Sequence, residues 1–152
     1  MPRFAYDRGE LEIMSPSTEH ESAAYFLELL VALFAEETGV NAYGVGSTTF
    51  KRENLERGFE PGACFYVQNE ERIRGKPRID LDVDPPPDLV IEIDITSPSL
   101  NKPSIYARMG VPEIWRHDGG VCRTLCCEGG STRWSPRARY CRPSPGRFSR
   151  AR

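Results

Sequence analysis

The seven residues Leu89–Ile95 (LVIEIDI) constrain the fold more than any other stretch of the chain. Their apolar, largely β-branched content predicts a strand. Strand side chains alternate between faces, so Glu92 and Asp94 share one face and Ile91, Ile93 and Ile95, the natural core set, share the other. An ionised carboxylate facing a covered sheet surface is costly unless it is paired or bound to a cation. Carboxylate oxygens suit Mg²⁺ or Mn²⁺. The alternative is a solvated face with ordinary surface charges.

The segments around this strand predict one domain of mixed α/β or α+β type. Residues 3–14 read as a hairpin turning at Asp7-Arg8-Gly9, with Glu10 to Ile13 alternating as a half-buried strand. A helix is expected at 19–38, with Thr18 as N-cap, Glu21 completing a capping box and Gly39 as the stop. Phe26, Leu29, Leu30, Leu33 and Phe34 have the spacing of its core-facing stripe. Residues 42–51 suggest a strand, 63–67 a buried strand, and 68–87 a long exposed connection ending in three prolines. A second helix is expected at 101–109, started by Pro103 and ended by Gly110, and a strand begins at Pro112 to Trp115.

With 152 residues and 39% hydrophobic content, the chain has enough material for one core and too little for two ordinary domains. No apolar run is long enough to span a membrane, and MPRFAYDRGE has no signal-peptide core, so the cytoplasm is the expected location. The net charge of −2 hides a split. Residues 119–152 carry eight Arg and one Glu (+7), leaving twelve basic and twenty-one acidic residues (−9) in 1–118. An acidic body is a poor surface for phosphate backbones, while the tail suits them on charge alone. Cys122, Cys126, Cys127 and Cys141 fit no common zinc spacing, and the odd total of five argues against a disulfide framework.

Two further residues are candidates for chemistry. Lys102, ten residues after Glu92, is placed to reach over the end of the strand and stabilise charge developing on a phosphate; otherwise it is a solvated helix-terminus lysine. His20, in the first turn of the first helix, could donate to a phosphate or support a carboxylate, although a surface His is the commoner case there. No P-loop, dinucleotide fingerprint or Ser-His-Asp arrangement is visible.

The segments MSPSTEHE, GFEPGACFYV, PPPDLVIEIDITSPSLNK and IYARMGVPEIWRHD together resemble the Uma-type restriction endonuclease family of the PD-(D/E)XK nuclease superfamily, over residues 3–118. The resemblance implies a restriction-endonuclease-like core, a mixed sheet flanked by helices, and Mg²⁺-dependent hydrolysis of DNA phosphodiesters. In such enzymes an Asp and a Glu on neighbouring strands bind a metal that acidifies its water and neutralises the phosphate, and a lysine assists. Carried over, the catalytic set is Glu92, Lys102 and Asp94, and the metal set is Glu92, Asp94 and Asp88. Glu10 and His20 match supporting positions.

This sequence departs from the family pattern in two places. Gly62 stands where the family's strand carries Asp, and glycine offers no ligand. Glu60, two residues back, could face the same way, although Pro61 constrains that path. After WRHDGG the family continues with apolar strands, whereas residues 119–152 are rich in Arg, Cys and Pro. That reads as a reading-frame change or a degraded gene end, with a basic DNA-binding arm as the alternative. A domain over 1–118 is therefore expected, with a tail over 119–152 that adds at most a strand at 121–127 and is otherwise disordered. The expected function is a metal-dependent DNA endonuclease impaired at Gly62. The alternatives are an inactive nuclease-fold relic or DNA-binding module, and a homodimeric scaffold with its interface around Trp115 and Ile105.

Overall fold

The computed structural model describes residues 2–96 and 100–135. The Ser-Pro-Ser stop at 97–99 and the tail from 136 onward lie outside the described residues. In chain order the elements are β1 (Arg3–Asp7), β2 (Glu10–Met14), α1 (Thr18–Thr38), β3 (Tyr43–Gly44), β4 (Phe50–Arg52), a 3-10 turn (Glu53–Leu55), β5 (Arg57–Phe59), β6 (Ala63–Tyr66), α2 (Glu70–Ile73), β7 (Leu89–Ile93), α3 (Lys102–Arg108), β8 (Glu113–His117), β9 (Cys122–Glu128) and β10 (Ser131–Ser135). They form an antiparallel four-stranded sheet, β2-β1-β5-β4, and a six-stranded sheet, β10-β9-β8-β7-β6-β3. In the larger sheet β7 and β8 run parallel, joined through α3, and the other pairs are antiparallel. This is the expected α+β architecture, a mixed sheet flanked by helices.

β7 is central and buried on both faces. Leu89, Ile91 and Ile93 pack with Ala24, Leu27 and Val31 of α1 and with Ala63 and Phe65 of β6. Val90, on the other face, joins Ile105, Tyr106 and Met109, together with Phe50 and Phe59 of the smaller sheet. Full burial of an Ile or Leu side chain contributes about 1.5–3 kcal/mol, so these two clusters fix both the position of β7 and the direction Glu92 faces.

The packed stripe of α1 differs from the expected one. Leu29, Leu30 and Leu33 are exposed, as are Tyr25 and Phe26, and Phe34 is half-buried; the residues against the sheet are His20, Ala24, Leu27 and Val31. The helix is apolar on two sides, and the side with the smaller residues is the one that packs. The cap also lies one residue earlier than expected. Ser17 is the N-cap, its Oγ accepts from the His20 amide, and the His20 ring accepts from the Ser17 amide, so His20 rather than Glu21 closes the capping box. Gly39 ends the helix as expected.

Three connections also differ from the sequence reading. Residues 42–51 do not form one strand: β3 edges the larger sheet and β4 the smaller, because the chain turns at Gly46, whose φ of 63° suits glycine. The 68–87 segment is not wholly exposed, since it contains α2 and buries Ile73 and Leu81. Beyond residue 118, β9 and β10 extend the larger sheet, so residues 131–135 are strand rather than disordered. Main-chain pairing tolerates their Arg, Thr and Ser side chains, and most of this edge hairpin is exposed, so it needs few apolar residues. Ile105 is buried and Trp115 packs against the α1-side core, so these two residues do not form a free dimer face. No helix among the described residues is long and apolar enough to cross a membrane.

Candidate active site

Glu92 lies near the end of β7 on the face covered by α3, and it is buried. The first turn of α3 explains how it is accommodated. Asn101 caps that helix by accepting from the Ser104 amide, and Lys102 and Tyr106 fall four residues apart on one helix face. The Lys102 ammonium donates to Glu92 Oε1 at 2.9 Å and the Tyr106 hydroxyl donates to Oε2 at 2.5 Å. Lys102 Nζ also lies 3.3 Å from Glu12 Oε1, while the Leu100 amide donates to Glu12 Oε2 at 3.0 Å. The face is therefore covered, and its acid on β7 is held by two side chains of α3, one of which also meets Glu12 of β2.

The electrostatics follow from this burial. Burial alone would pull the Lys102 pKa down, but the Glu92 carboxylate, with Glu12 behind it, outweighs that effect and holds the lysine above its ordinary value. Burial and the adjacent Glu92 charge push the Tyr106 hydroxyl far above the usual tyrosine value, so it remains a proton donor. Its ring stacks edge-on against Phe59 at 4.6 Å, which fixes the direction of the hydroxyl.

Asp94 stands just past the end of β7, half-buried, and accepts from Arg116 Nε at 2.9 Å. Glu92, Asp94, Asn101, Lys102 and Arg116 line one concavity of about 260 Å³. A larger depression of about 410 Å³ lies on the outer face of the smaller sheet, between Tyr6, Leu11 and Lys51, and contains none of these residues.

The register explains the importance of position 62. β6 and β7 pair Ala63 with Ile91, so the next step brings residue 62 level with Glu92. A Cβ there would stand 2.8 Å from the Ile91 carbonyl oxygen, so the backbones meet more closely than a side chain permits. It would also lie 3.7 Å from Arg3 Nη1, whose guanidinium is nearly buried and donates to Glu21 Oε1 at 2.7 Å.

The structure brings together Glu92, Asp94 and Lys102 among the expected residues. Asp88 is four residues back along β7, about 13 Å away at the usual strand rise. Its Oδ2 accepts from the Val67, Gln68 and Asn69 amides and its Oδ1 from the Asn69 side chain, so it holds the turn at 67–69 and does not line the concavity. Glu60 accepts from the Thr49 hydroxyl and does not line the concavity. Glu10 is exposed at the hairpin; Glu12, two residues on, is the member of that strand that reaches the site. His20 is buried with Nδ1 2.7 Å from Ser17 Oγ at the start of α1, and it does not line the concavity. Glu12, Tyr106, Arg116 and Arg3 were missed. The four-residue spacing of Lys102 and Tyr106 could have revealed the tyrosine; nothing in the sequence marks Arg3.

The Uma2 family model, described as a putative restriction endonuclease, matches residues 1–146 and so continues past residue 118 through β9 and β10. No curated protein matches the sequence.

Proposed function

Because the chain belongs to the Uma2 family, we propose that it is a DNA-directed endonuclease whose reaction centre is the Glu92 concavity and whose cleavage is impaired by Gly62. The observation that carries this reading is the buried Glu92, held by Lys102 and Tyr106 and level with a residue that has no side chain. A buried acid held by a lysine and a tyrosine whose pKa values are both raised, beside the Asp94–Arg116 pair in one cleft, favours function over a surface ion pair.

Restriction-endonuclease-like proteins are as a class metal-dependent, and a bound divalent ion supplies them with an acidified water and a neutralised phosphate. The residues present here do not fit such an ion as they stand. Both Glu92 oxygens accept from Lys102 and Tyr106, Glu12 is held by Lys102 and the Leu100 amide, and Asp94 is paired with Arg116. Among the described residues, no group of three or more His, Cys, Asp or Glu side chains is arranged to hold a metal. What the chain's own groups offer a phosphodiester is the half-exposed Arg116 guanidinium as an anchor and the Lys102 ammonium as a charge fixed behind it.

Plasmid nicking in Mg²⁺ and in Mn²⁺, compared across wild type, Gly62→Asp and Gly62→Ala, tests the proposal. Both substitutions meet the Ile91 carbonyl, and only the first adds a ligand. Wild type and Gly62→Ala should remain near background, with Gly62→Asp at least ~tenfold faster, a small part of what a metal supplies. Nicking by wild type at the Gly62→Asp rate would refute the impairment. A folded Gly62→Asp protein that does not cut, with DNA affinity unaffected by Glu92→Gln or Arg116→Ala, would refute the reaction centre.

A further inference from the structure

The reading above assigns Glu92 to a centre with a missing ligand; resting on it, the packing around Lys102 says what balances that centre's charge. Lys102 Nζ stands between two carboxylates from different strands, 2.9 Å from Glu92 and 3.3 Å from Glu12. Each carboxylate is held at its other oxygen, Glu92 by the Tyr106 hydroxyl and Glu12 by the Leu100 amide. The lysine side chain is about 10% exposed, that of Glu92 5% and that of Glu12 12%. Only three lysines occur among the twenty basic residues of the chain, and one of them is here. A compact ammonium can sit between two carboxylates as a point charge, where a planar guanidinium would impose its own forked geometry. On the position-62 side, where the family pattern has an acid, the Arg3 guanidinium stands 3.7 Å from where a Cβ would lie.

We propose that Lys102 is the resident cation of this centre: its ammonium bridges Glu92 and Glu12 and excludes divalent metal, and removing it converts that carboxylate pair into a divalent-cation site. A divalent ion entering the wild-type site would face an ammonium held by the same oxygens it needs, and without a third carboxylate at 62 it has too few ligands to displace it. Hard cations require several oxygen ligands, and loss of the ammonium uncovers one from each strand, Glu92 Oε1 and Glu12 Oε1, with water completing the shell. The lysine therefore competes with the metal in this chain.

The experiment uses MnCl₂ without DNA, so its failure leaves the Gly62→Asp cleavage result standing, and the reverse also holds. Free Mn²⁺ is followed by electron paramagnetic resonance as each full-length protein is titrated, and thermal melts are run in parallel. Wild type should bind no stoichiometric Mn²⁺ up to about 1 mM, the weak end of the range for oxygen-ligand sites. Lys102→Met should bind one ion at least ~tenfold more tightly, and Mn²⁺ should raise its Tm and leave that of wild type unchanged. Adding Glu12→Gln should abolish the gain. Stoichiometric binding by wild type as tight as that of Lys102→Met would overturn the proposal, as would a folded Lys102→Met that gains no affinity. If Lys102→Met does not fold alone, folding restored by millimolar Mn²⁺ supports the proposal, and no restoration in Lys102→Met or Lys102→Gln overturns it.

Discussion

Replacing Tyr106 with Phe removes one hydroxyl from the centre and leaves the ring in place. The edge-on contact with Phe59 and the packing against Ile105 and Met109 are retained, so the packing cost is small. What is lost is the 2.5 Å hydrogen bond to Glu92 Oε2. A hydrogen bond to a charged group contributes about 1.5–3 kcal/mol net, and at a buried carboxylate the upper half of that range applies, so Tyr106→Phe should cost about 2–3 kcal/mol. With a urea m-value of about 2 kcal/mol per molar, the midpoint should fall by about 1 M at unchanged m. In a Glu92→Gln background the same substitution removes a bond to a neutral amide and should cost only about 1 kcal/mol. A loss below about 0.5 kcal/mol in the wild-type background would mean that Glu92 is hydrated, and the burial argument for the centre would be wrong.

Three other substitutions test the framework that positions the site. Leu27→Ala should destabilise by about 2–4 kcal/mol and Leu30→Ala by under about 0.5 kcal/mol in urea melts, because only Leu27 faces the sheet. Ser17→Ala removes the cap of α1 and should cost about 1 kcal/mol, read as a lower urea midpoint. Asp88→Ala leaves three part-buried amides without their acceptor and should cost about 2 kcal/mol by urea melt, with DNA affinity per folded molecule unchanged in fluorescence anisotropy. A metal or DNA defect in Asp88→Ala at full stability would return that residue to the site.

The part of the site legible in the sequence was the part carried by one strand and one helix. Alternation along LVIEIDI placed Glu92 and Asp94 together, and the position of Lys102 just after it gave a cation within reach. Glu12 was not legible because β2 is inverted relative to the usual pattern. Leu11 and Ile13 face outward, exposed, and the charged residue between them faces in, which alternation alone cannot distinguish. The face of α1 failed for a similar reason. A helix apolar on two sides has two self-consistent registers, and the choice depends on which side chains fit against Ile91 and Ile93, a tertiary fact. Arg3 and Gly62 are fifty-nine positions apart, and only the β6–β7 register and the path of β1 bring them together. The last two strands were obscured by composition, since a surface hairpin is specified by backbone pairing more than by apolar content.

The most direct measurement is the titration of the Lys102 side chain by NMR of ¹³C-labelled lysine, feasible because Lys51 and Lys76 give the only other signals. The lysine pKa is raised in the folded state, so the stability it lends is fully present below the ordinary value of 10.5 and is lost as pH rises through the folded value. The Lys102 resonance should therefore titrate above 10.5, and Glu92→Gln should lower its midpoint. Three lysines titrating together, with none responding to Glu92→Gln, would show that no buried ammonium–carboxylate pair exists at the end of β7.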